Sequence, residues 1–304
     1  MSNFAIIAVC LIIGYLFKTF KLVEKGDYKV INKWVIFVGL PAVALRYIPQ
    51  IDWQLNYLFT AILPILIFAF SYLFFNVLNK FIDFSQRTKN TLIIVSGLSN
   101  TSFVGFPLII SFFGEEQLKV GIVSDQVTFF TLSTLGVLLA ASSRNLFKSP
   151  TDKYKFIVKR IFTFPPLIAC IIALLFSNFL ANEQFEGFFS MLAATVSPMA
   201  LFSIGMQLNF QNVWKEIRAI SFSVIYKLLL APALCTLIAV YFKLHGVFFQ
   251  VSIFEMAMPS LVASSMIIEK FGLNVKLANT IIGISIIIGL LSSFLWHSVI
   301  ITLL

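Results

Sequence analysis

The sequence predicts an all-α protein that crosses a lipid bilayer ten times, and three observations support this fold class. First, 59% of the 304 residues are hydrophobic and 12% are charged, with a mean hydropathy of +0.96, whereas soluble domains are about half apolar and a quarter charged. Second, apolar runs of about 20 residues, the length that a spanning helix needs, recur along the whole chain. Third, these runs are continuous, whereas the strands of a membrane β-barrel alternate in segments of about ten residues.

Charged residues divide the apolar runs into ten predicted spans. They lie near residues 3–20, 30–48, 57–78, 90–113, 120–142, 155–180, 187–207, 217–241, 247–269 and 277–303. Eighteen lysines and arginines fall in odd-numbered loops, whereas the even-numbered loops carry only Arg46, Lys119 and Lys243. Because short loops rich in basic residues stay in the cytoplasm, we expect a multi-pass protein of the cytoplasmic (inner) membrane with both termini on the extracytoplasmic side. The +9 formal charge is then a topology signal, and no nucleic-acid partner is expected.

The fifth loop is the longest and most basic, and it divides the chain into two sets of five spans. We therefore expect a first five-helix repeat at 1–145, a cytoplasmic linker at 146–154 and a second repeat at 155–304. An odd number of spans per repeat forces the two repeats into opposite orientations, the plan of many secondary transporters. Two short similarities between the halves support it. Pro41-Ala42-Val43-Ala44-Leu45 resembles Pro198-Met199-Ala200-Leu201-Phe202, 157 residues later, and Phe113-Gly114 recurs as Phe271-Gly272, 158 residues later.

Spans four and nine both contain residues that interrupt helices. The run Ser96–Pro107 holds small hydroxyl residues, Asn100, two glycines and a proline, and span nine has Met258-Pro259-Ser260 followed by Ser264 and Ser265. Interrupted helices at membrane depth occur only against protein or a wet cavity, and a matched pair in the two halves indicates a binding site near the midplane. The N-termini of the half-helices favour an anionic ligand such as a carboxylate.

These motifs resemble those of the auxin efflux carrier family, which includes the plant PIN proteins and bacterial malate and malonate permeases. Asn100-Thr101 followed by Gly105-x-Pro107 resembles the family's Asn-Thr-x-x-x-Gly-x-Pro stretch. Three other stretches, taken in chain order, look similar to further family motifs. They are Leu40-Pro41-Ala42, Ser197-Pro198 to Gly205, and Ala257-Met258-Pro259 through Gly272. The resemblance covers essentially the whole chain, but Ser260 stands where the plant proteins carry a glutamine.

The resemblance implies a fold shared with bile-acid sodium symporters, with a scaffold domain, a transport domain, and broken helices four and nine that cross at Pro107 and Pro259. It also implies that Asn100 binds the carboxylate of the substrate. Around these residues we expect a substrate site that is completed by Thr101, Ser102, Gly105, Ser260 and Ser264. The expected activity is transport of a small organic anion, such as malate or malonate, in which one repeat-derived domain rocks against the other. The remaining expected partners are the lipid bilayer and, in a possible homodimer, a second copy of the chain.

Charged residues inside spans are costly and are therefore candidates for coupling or for the transport pathway. Asp125 and Gln126 lie in span five, where they either face an aqueous vestibule or line the pathway. Lys227 in span eight either attracts the anion, pairs with Glu255 of span nine or lies in a local aqueous pocket. A structural Lys227–Glu255 pair is the main expectation, and a Glu255 carboxyl that carries a proton is the alternative.

Other function classes remain as alternatives or are excluded by missing motifs. Hydrolase, metalloprotease and prenyl-transfer signatures are absent from the sequence, so no enzyme activity is expected. The three cysteines lie inside spans without paired spacing, so neither a metal site nor a cofactor is expected. A channel or a sensor with the same fold stays open. So does a sodium-coupled symporter, which requires a cage of oxygen ligands next to the crossover. Asn100, Thr101 and Ser102 could contribute ligands to such a cage, but no acidic ligand near them is evident in the sequence. The coupling ion, H⁺ or Na⁺, is left open.

Overall fold

The computed structural model describes residues 2–24, 26–142, 155, 158, 163–180, 182–208 and 213–304, and the regular elements within these ranges are helices. The expected linker at 146–154 lies outside the described residues. The helices, labelled in chain order, are α1 (Ser2–Thr19), α2 (Tyr28–Gln50), α3 (Tyr57–Ile82), α4 (Gln86–Ser96), α5 (Thr101–Phe112), α6 (Glu115–Ser142), α7 (Pro165–Leu175), α8 (Ser177–Leu180), α9 (Glu183–Ala194), α10 (Val196–Gln207), α11 (Val213–Tyr241), α12 (Val247–Met256), α13 (Ser264–Lys270) and α14 (Val275–Leu303).

Six helical runs in the described part of the chain are long and apolar enough to cross a membrane. They are α2, α3, α6, the run Phe185–Gln207 that joins α9 to α10, α11 and α14. The protein is therefore a polytopic helical membrane protein. The first, fourth, sixth and ninth expected spans correspond to shorter helices, so the count of ten crossings stays a prediction.

Spans four and nine are each observed as two short helices. Helix α4 ends at Ser96, where the N–H of Gly97 still donates to the Ile93 carbonyl, 2.9 Å away. A Cβ on Gly97 would lie only 3.0 Å from the ring of Phe68 in α3, so this turn passes too close to α3 for a larger residue. The chain then runs extended until α5 begins at Thr101. In span nine the corresponding gap separates α12 from α13.

Pro107 does not mark the interruption of span four, contrary to the expectation from the resemblance. It lies within α5, directly after a π-helical turn over Thr101–Gly105. Proline lacks an N–H and crowds the carbonyl four residues earlier, and a widened turn before it relieves that crowding. The same order, a π turn and then a proline two residues later, recurs at Pro41 and Pro232. These prolines are therefore accommodated inside continuous helices.

The described helices pack in two groups. The small group contains α1, α2 and α7 to α10, and the large group contains α3 to α6 and α11 to α14. Helix α5 of the large group also contacts α1 and α10 across the boundary. Each group draws helices from both halves of the sequence, so the packing units are not the two repeats. This differs from the expected motion of one repeat-derived domain against the other.

Several backbone features recur about 160 residues apart. Gly114, with φ +93°, follows α5, and Gly272, with φ +61°, follows α13. Asp83 and Lys243, both left-handed non-glycine residues with φ of 55° and 54°, follow α3 and α11 respectively. Left-handed residues commonly end helices. Both halves of the chain thus end corresponding helices in the same way.

Glycines hold α1 and α10 together within the small group. A Cβ on Gly205 would lie 3.0 Å from the Cα of Gly14 and closer still to the carbonyl oxygen of Leu11. Small residues let membrane helices approach closely, which increases their van der Waals contact. We therefore expect this contact to be sensitive to a single added methyl group.

Gly205→Ala should lower the free energy of unfolding by about 1–3 kcal/mol, the usual cost of overpacking. The matched control is Gly187→Ala in α9, because a Cβ there meets nothing within 4 Å. The melting temperatures of the purified variants give the comparison. Equal melting temperatures for the two variants would contradict the close contact.

Candidate functional site

The two interruptions lie side by side and are hydrogen-bonded to each other. Ser99 and Ser260 form an isolated antiparallel bridge. The N–H of Asn100 donates to the Pro259 carbonyl at 2.8 Å, and the N–H of Leu261 donates to the Leu98 carbonyl at 3.0 Å. Backbone groups buried away from water need such partners. We call this pair of segments, 97–100 and 257–263, the crossing.

Three polar side chains at the crossing have no hydrogen-bond partner within the described part of the chain. They are the amide of Asn100, at both its oxygen and its nitrogen, and the hydroxyls of Ser102 and Ser260. All three residues are fully buried. Leaving a buried polar group unsatisfied costs about 1–3 kcal/mol, so each such group suggests a bound ligand or water.

Other expected site residues are already engaged by the protein. The hydroxyl of Thr101 donates to Asp125 Oδ1 at 2.6 Å, and the hydroxyl of Ser264 donates to the Leu261 carbonyl at 2.6 Å. Pro259 supplies its carbonyl to the crossing, and its ring packs against α14, where a Cβ on Gly289 would lie 3.0 Å from it. Pro107 lies seven residues beyond Asn100 in the sequence, away from the crossing.

Glu255, the penultimate residue of α12, is fully buried, and neither carboxyl oxygen has a hydrogen-bond partner among the described residues. The carboxyl lies flat against two glycines of neighbouring helices. A Cβ on Gly105 would lie 2.6 Å from Oε2, and one on Gly121 would lie 3.0 Å from Oε1. Gly105 of the expected site therefore makes room for Glu255 rather than contacting a ligand directly.

Asp125 is fully buried and does not face an aqueous vestibule. It accepts the hydrogen bond of Thr101, and Ser102 lies beside the same carboxyl. Its second oxygen has no partner within the described ranges. Asp125 lies one helical turn beyond Gly121 on the same face of α6, so it neighbours the glycine against which the Glu255 carboxyl packs.

Lys227 of α11 is fully buried and does not pair with Glu255. Its ammonium donates to Ser99 Oγ at 2.6 Å and to the Met256 carbonyl at 2.9 Å. The expected ion pair is therefore wrong, because the ammonium instead binds the C-terminal end of α12, where the helix dipole favours a cation. Lys227 thus joins α11 to Ser99 of the crossing and to the end of α12, directly before the second segment of the crossing.

Gln126, next to Asp125, is almost fully buried, and its Oε1 lacks a partner among the described groups. Four further residues, which were not predicted from the sequence, complete the site. They are Ser99, which binds Lys227; Gly121, which accommodates Glu255; Ser124, whose buried hydroxyl lacks a described partner; and Ser285, whose hydroxyl accepts from the N–H of Ser260 at 3.2 Å. Two of these residues had a signal in the sequence. Ser99 lies inside the polar run of span four, and the four-residue spacing of Gly121 and Asp125 places both on one face of a helix.

Two cavities approach the crossing from the end of the helix bundle that contains Lys29 and Glu269, which we call the Lys29 end. A cavity of about 430 Å³ is lined by Phe103 of α5 and by Val262 and Ala263 of the crossing. A second, of about 720 Å³, lies between α1, α10 and α14. Both volumes fall in the range of small-molecule sites.

The comparisons with known proteins identify the family of this chain. The family model described as "Membrane transport protein" matches residues 1–297. An uncharacterized transporter of Methanocaldococcus jannaschii is 26% identical to this chain, over 97% of each protein. An uncharacterized transporter of Methanothermobacter thermautotrophicus is 23% identical, over 96% of each. Because the family model matches nearly the whole chain, this membrane protein belongs to the membrane transport protein family, that of the auxin efflux carriers.

Proposed function

We propose that this protein is a secondary carrier that moves a small organic anion, a carboxylate such as malate or malonate, across the cytoplasmic membrane by alternating access. The observation that carries this proposal is the Asn100 amide, which is fully buried at the crossing without a described partner. A buried amide that the protein leaves unsatisfied is suited to bind a ligand that can satisfy it.

The groups around Asn100 favour an anion. Asn100 is the N-cap residue of α5, and its side chain does not cap that helix. The N–H groups in the first turn of a helix lack intrahelical partners and carry the positive end of the dipole, and of these the N–H of Ser102 faces the Asp125 carboxyl. The amide nitrogen of Asn100 and the hydroxyls of Ser102 and Ser260 add side-chain donors. Together they match the acceptor oxygens of a carboxylate.

The two helix groups provide the moving parts. The cavities at the Lys29 end reach residues next to the crossing, and the bias of basic residues assigns that end to the cytoplasm. Because the helices that flank the crossing, α4, α5, α12 and α13, all belong to the large group, movement of the large group would carry the crossing with it. Motion of the large group against the small one would then expose the site alternately to the two sides.

We propose that the two halves of the chain form an inverted repeat that underlies this motion. The crossing pairs Ser99 with Ser260, and the left-handed helix ends also recur about 160 residues apart. Two structurally similar halves of opposite orientation provide two related arrangements, one open to each side. The boundaries 1–145 and 155–304 are the division that we propose.

Asn100→Ala should abolish carboxylate transport while leaving the folded yield unchanged, because the variant removes a side chain that has no described partner in the protein. The measurement is counterflow of labelled malate in proteoliposomes, with unlabelled mono- and dicarboxylates as internal exchangers. Asn56→Ala, at an exposed helix end, is the matched control. Full counterflow in Asn100→Ala would refute the site, and no counterflow in folded wild-type protein would favour a channel, a sensor or another substrate.

We also propose that the buried carboxyls couple transport to a cation. Glu255, Asp125 and Lys227 are all fully buried, and ionisation of all three would leave one net negative charge inside the membrane. Such a charge is costly unless it is neutralised. The Glu255 carboxyl packs against two glycines, so it can hold a proton there without further ligands. Asp125 and Lys227 are the charged groups that face it.

Glu255→Gln should remove the dependence of malate uptake on an imposed proton gradient but preserve counterflow, because glutamine resembles a protonated glutamate that cannot release its proton. Uptake at several external pH values, with Glu116→Gln as an exposed control, measures this. An unchanged pH dependence in Glu255→Gln would rule out proton coupling through this residue.

Sodium coupling is the second candidate, because the Asp125 carboxyl lies within hydrogen-bond distance of Thr101 and provides an acidic oxygen ligand next to the crossing. In that case a sodium gradient, rather than a proton gradient, drives uptake by the wild-type protein, and Asp125→Asn removes the sodium dependence.

A further inference from the structure

A third cavity, of about 370 Å³, lies at the opposite end of the helix bundle, between the small and large groups. We call this the Arg46 end. Most of the cavity wall is apolar and includes Phe106 and Pro107 of α5. The polar side chains in the wall are Arg46 and Tyr47 of α2, Glu115 of α6, and Ser197 of α10. Ligand sites commonly combine apolar walls with a few polar groups in this way.

Arg46 in this cavity is only partly used by the protein. Its Nη2 donates to Glu115 Oε1 at 3.0 Å, and the hydroxyl of Tyr47 donates to the same oxygen at 2.8 Å. The guanidinium also lies over the Tyr47 ring, 4.5 Å from its centroid. The Nε of Arg46 is buried and has no partner within the described part of the chain. A guanidinium can bind a carboxylate through two parallel hydrogen bonds, so a single bond leaves this capacity unfilled.

We propose that this cavity is a capture site for a small carboxylate, where Arg46 and Tyr47 bind the ligand and Glu115 holds the guanidinium until the ligand arrives. The inference rests on the proposed transport of carboxylates. Glu115 resembles such a ligand chemically, since it presents a carboxylate to the same two donors. Its side chain is 56% exposed, against 20% for Arg46, so the glutamate can turn into water at low cost while the arginine stays in the wall.

Ligand capture would also release a connection between the two helix groups. Arg46 belongs to the small group and Glu115 to the large group, so their ion pair joins the groups at this end. Glu115 directly follows Gly114, whose φ of +93° forms the joint between α5 and α6. At the Lys29 end the ion pair of Lys29 with Glu269 is looser, at 3.9 Å, and both side chains are more than half exposed. Such exposed ion pairs contribute little to stability, so the stronger connection between the two helix groups is at the Arg46 end.

The bias of basic residues assigns the Arg46 end to the extracytoplasmic side. The effect of a change in the capture site should therefore depend on the face of the membrane to which malate is presented. We expect Arg46→Gln to raise the KM for labelled malate about 10-fold or more when malate is presented to intact cells, given the usual strength of charge-assisted hydrogen bonds. In inside-out vesicles, where malate enters from the cytoplasmic face, the KM should be unchanged. Glu115→Gln should lower the KM in intact cells, because it frees the guanidinium.

Neighbours at the same end that do not line the cavity serve as matched controls: Lys119→Gln for the arginine and Glu116→Gln for the glutamate. An equal change of KM at both faces in Arg46→Gln, or no change at either face, would overturn the capture site.

A second measurement is independent of transport and separates this inference from the proposed function. In an Asn100→Ala background, sodium malate or sodium benzoate should raise the melting temperature of Glu115→Gln protein, and the added change Arg46→Gln should remove that increase. This result would support the capture site even if the wild-type protein showed no malate counterflow. If neither anion stabilises Glu115→Gln, or if the increase survives the loss of Arg46, the proposal is wrong.

Discussion

The structure depends on one constraint, that backbone hydrogen-bonding groups inside a membrane must be satisfied by the protein. Two helices are interrupted at membrane depth, and each interruption supplies the hydrogen bonds that the other lacks, at Asn100–Pro259 and Leu261–Leu98. Lys227 satisfies the Met256 carbonyl at the end of α12. Neither interruption would be stable alone, so the chain must bring the two halves together to fold.

The polar character of the site follows from this arrangement. The bridged residues, Ser99 and Ser260, are small enough for the two segments to pass closely, and Gly97 lets the first segment pass close to Phe68 of α3. Once the main chain of the crossing is satisfied, the unpartnered side chains of Asn100, Ser102 and Ser260 remain, and these are the groups that a ligand can bind. Ligand binding at the crossing would also affect the buried charges of Asp125, Lys227 and Glu255, because α6, α11 and α12 all contribute residues at or beside the crossing.

The sequence was sufficient to predict a polytopic helical protein, because apolar runs and basic loops are local signals. It also indicated which spans are interrupted, since glycine, serine and proline cluster there. The sequence, interpreted through the family resemblance, placed the crossing of span four at Pro107, whereas proline in this chain follows a π turn and leaves the helix continuous. It wrongly paired Lys227 with Glu255, because which side chains meet across helices depends on helix rotation and depth, which the spacing of one sequence does not contain. The capture site at Arg46 was not evident for the same reason, as Glu115 lies 69 residues away in the sequence.

The central claim is that the crossing is a ligand site, and the accessibility of Ser102 tests it most directly. In protein whose cysteines at 10, 170 and 235 have been replaced by serine, Ser102→Cys would be exposed to a small, negatively charged thiol reagent with and without malate. We predict labelling from the cytoplasmic face that malate slows, because the ligand and the reagent would occupy the same space. Labelling at the same rate with and without malate, or a thiol that never reacts from either face, would contradict the account.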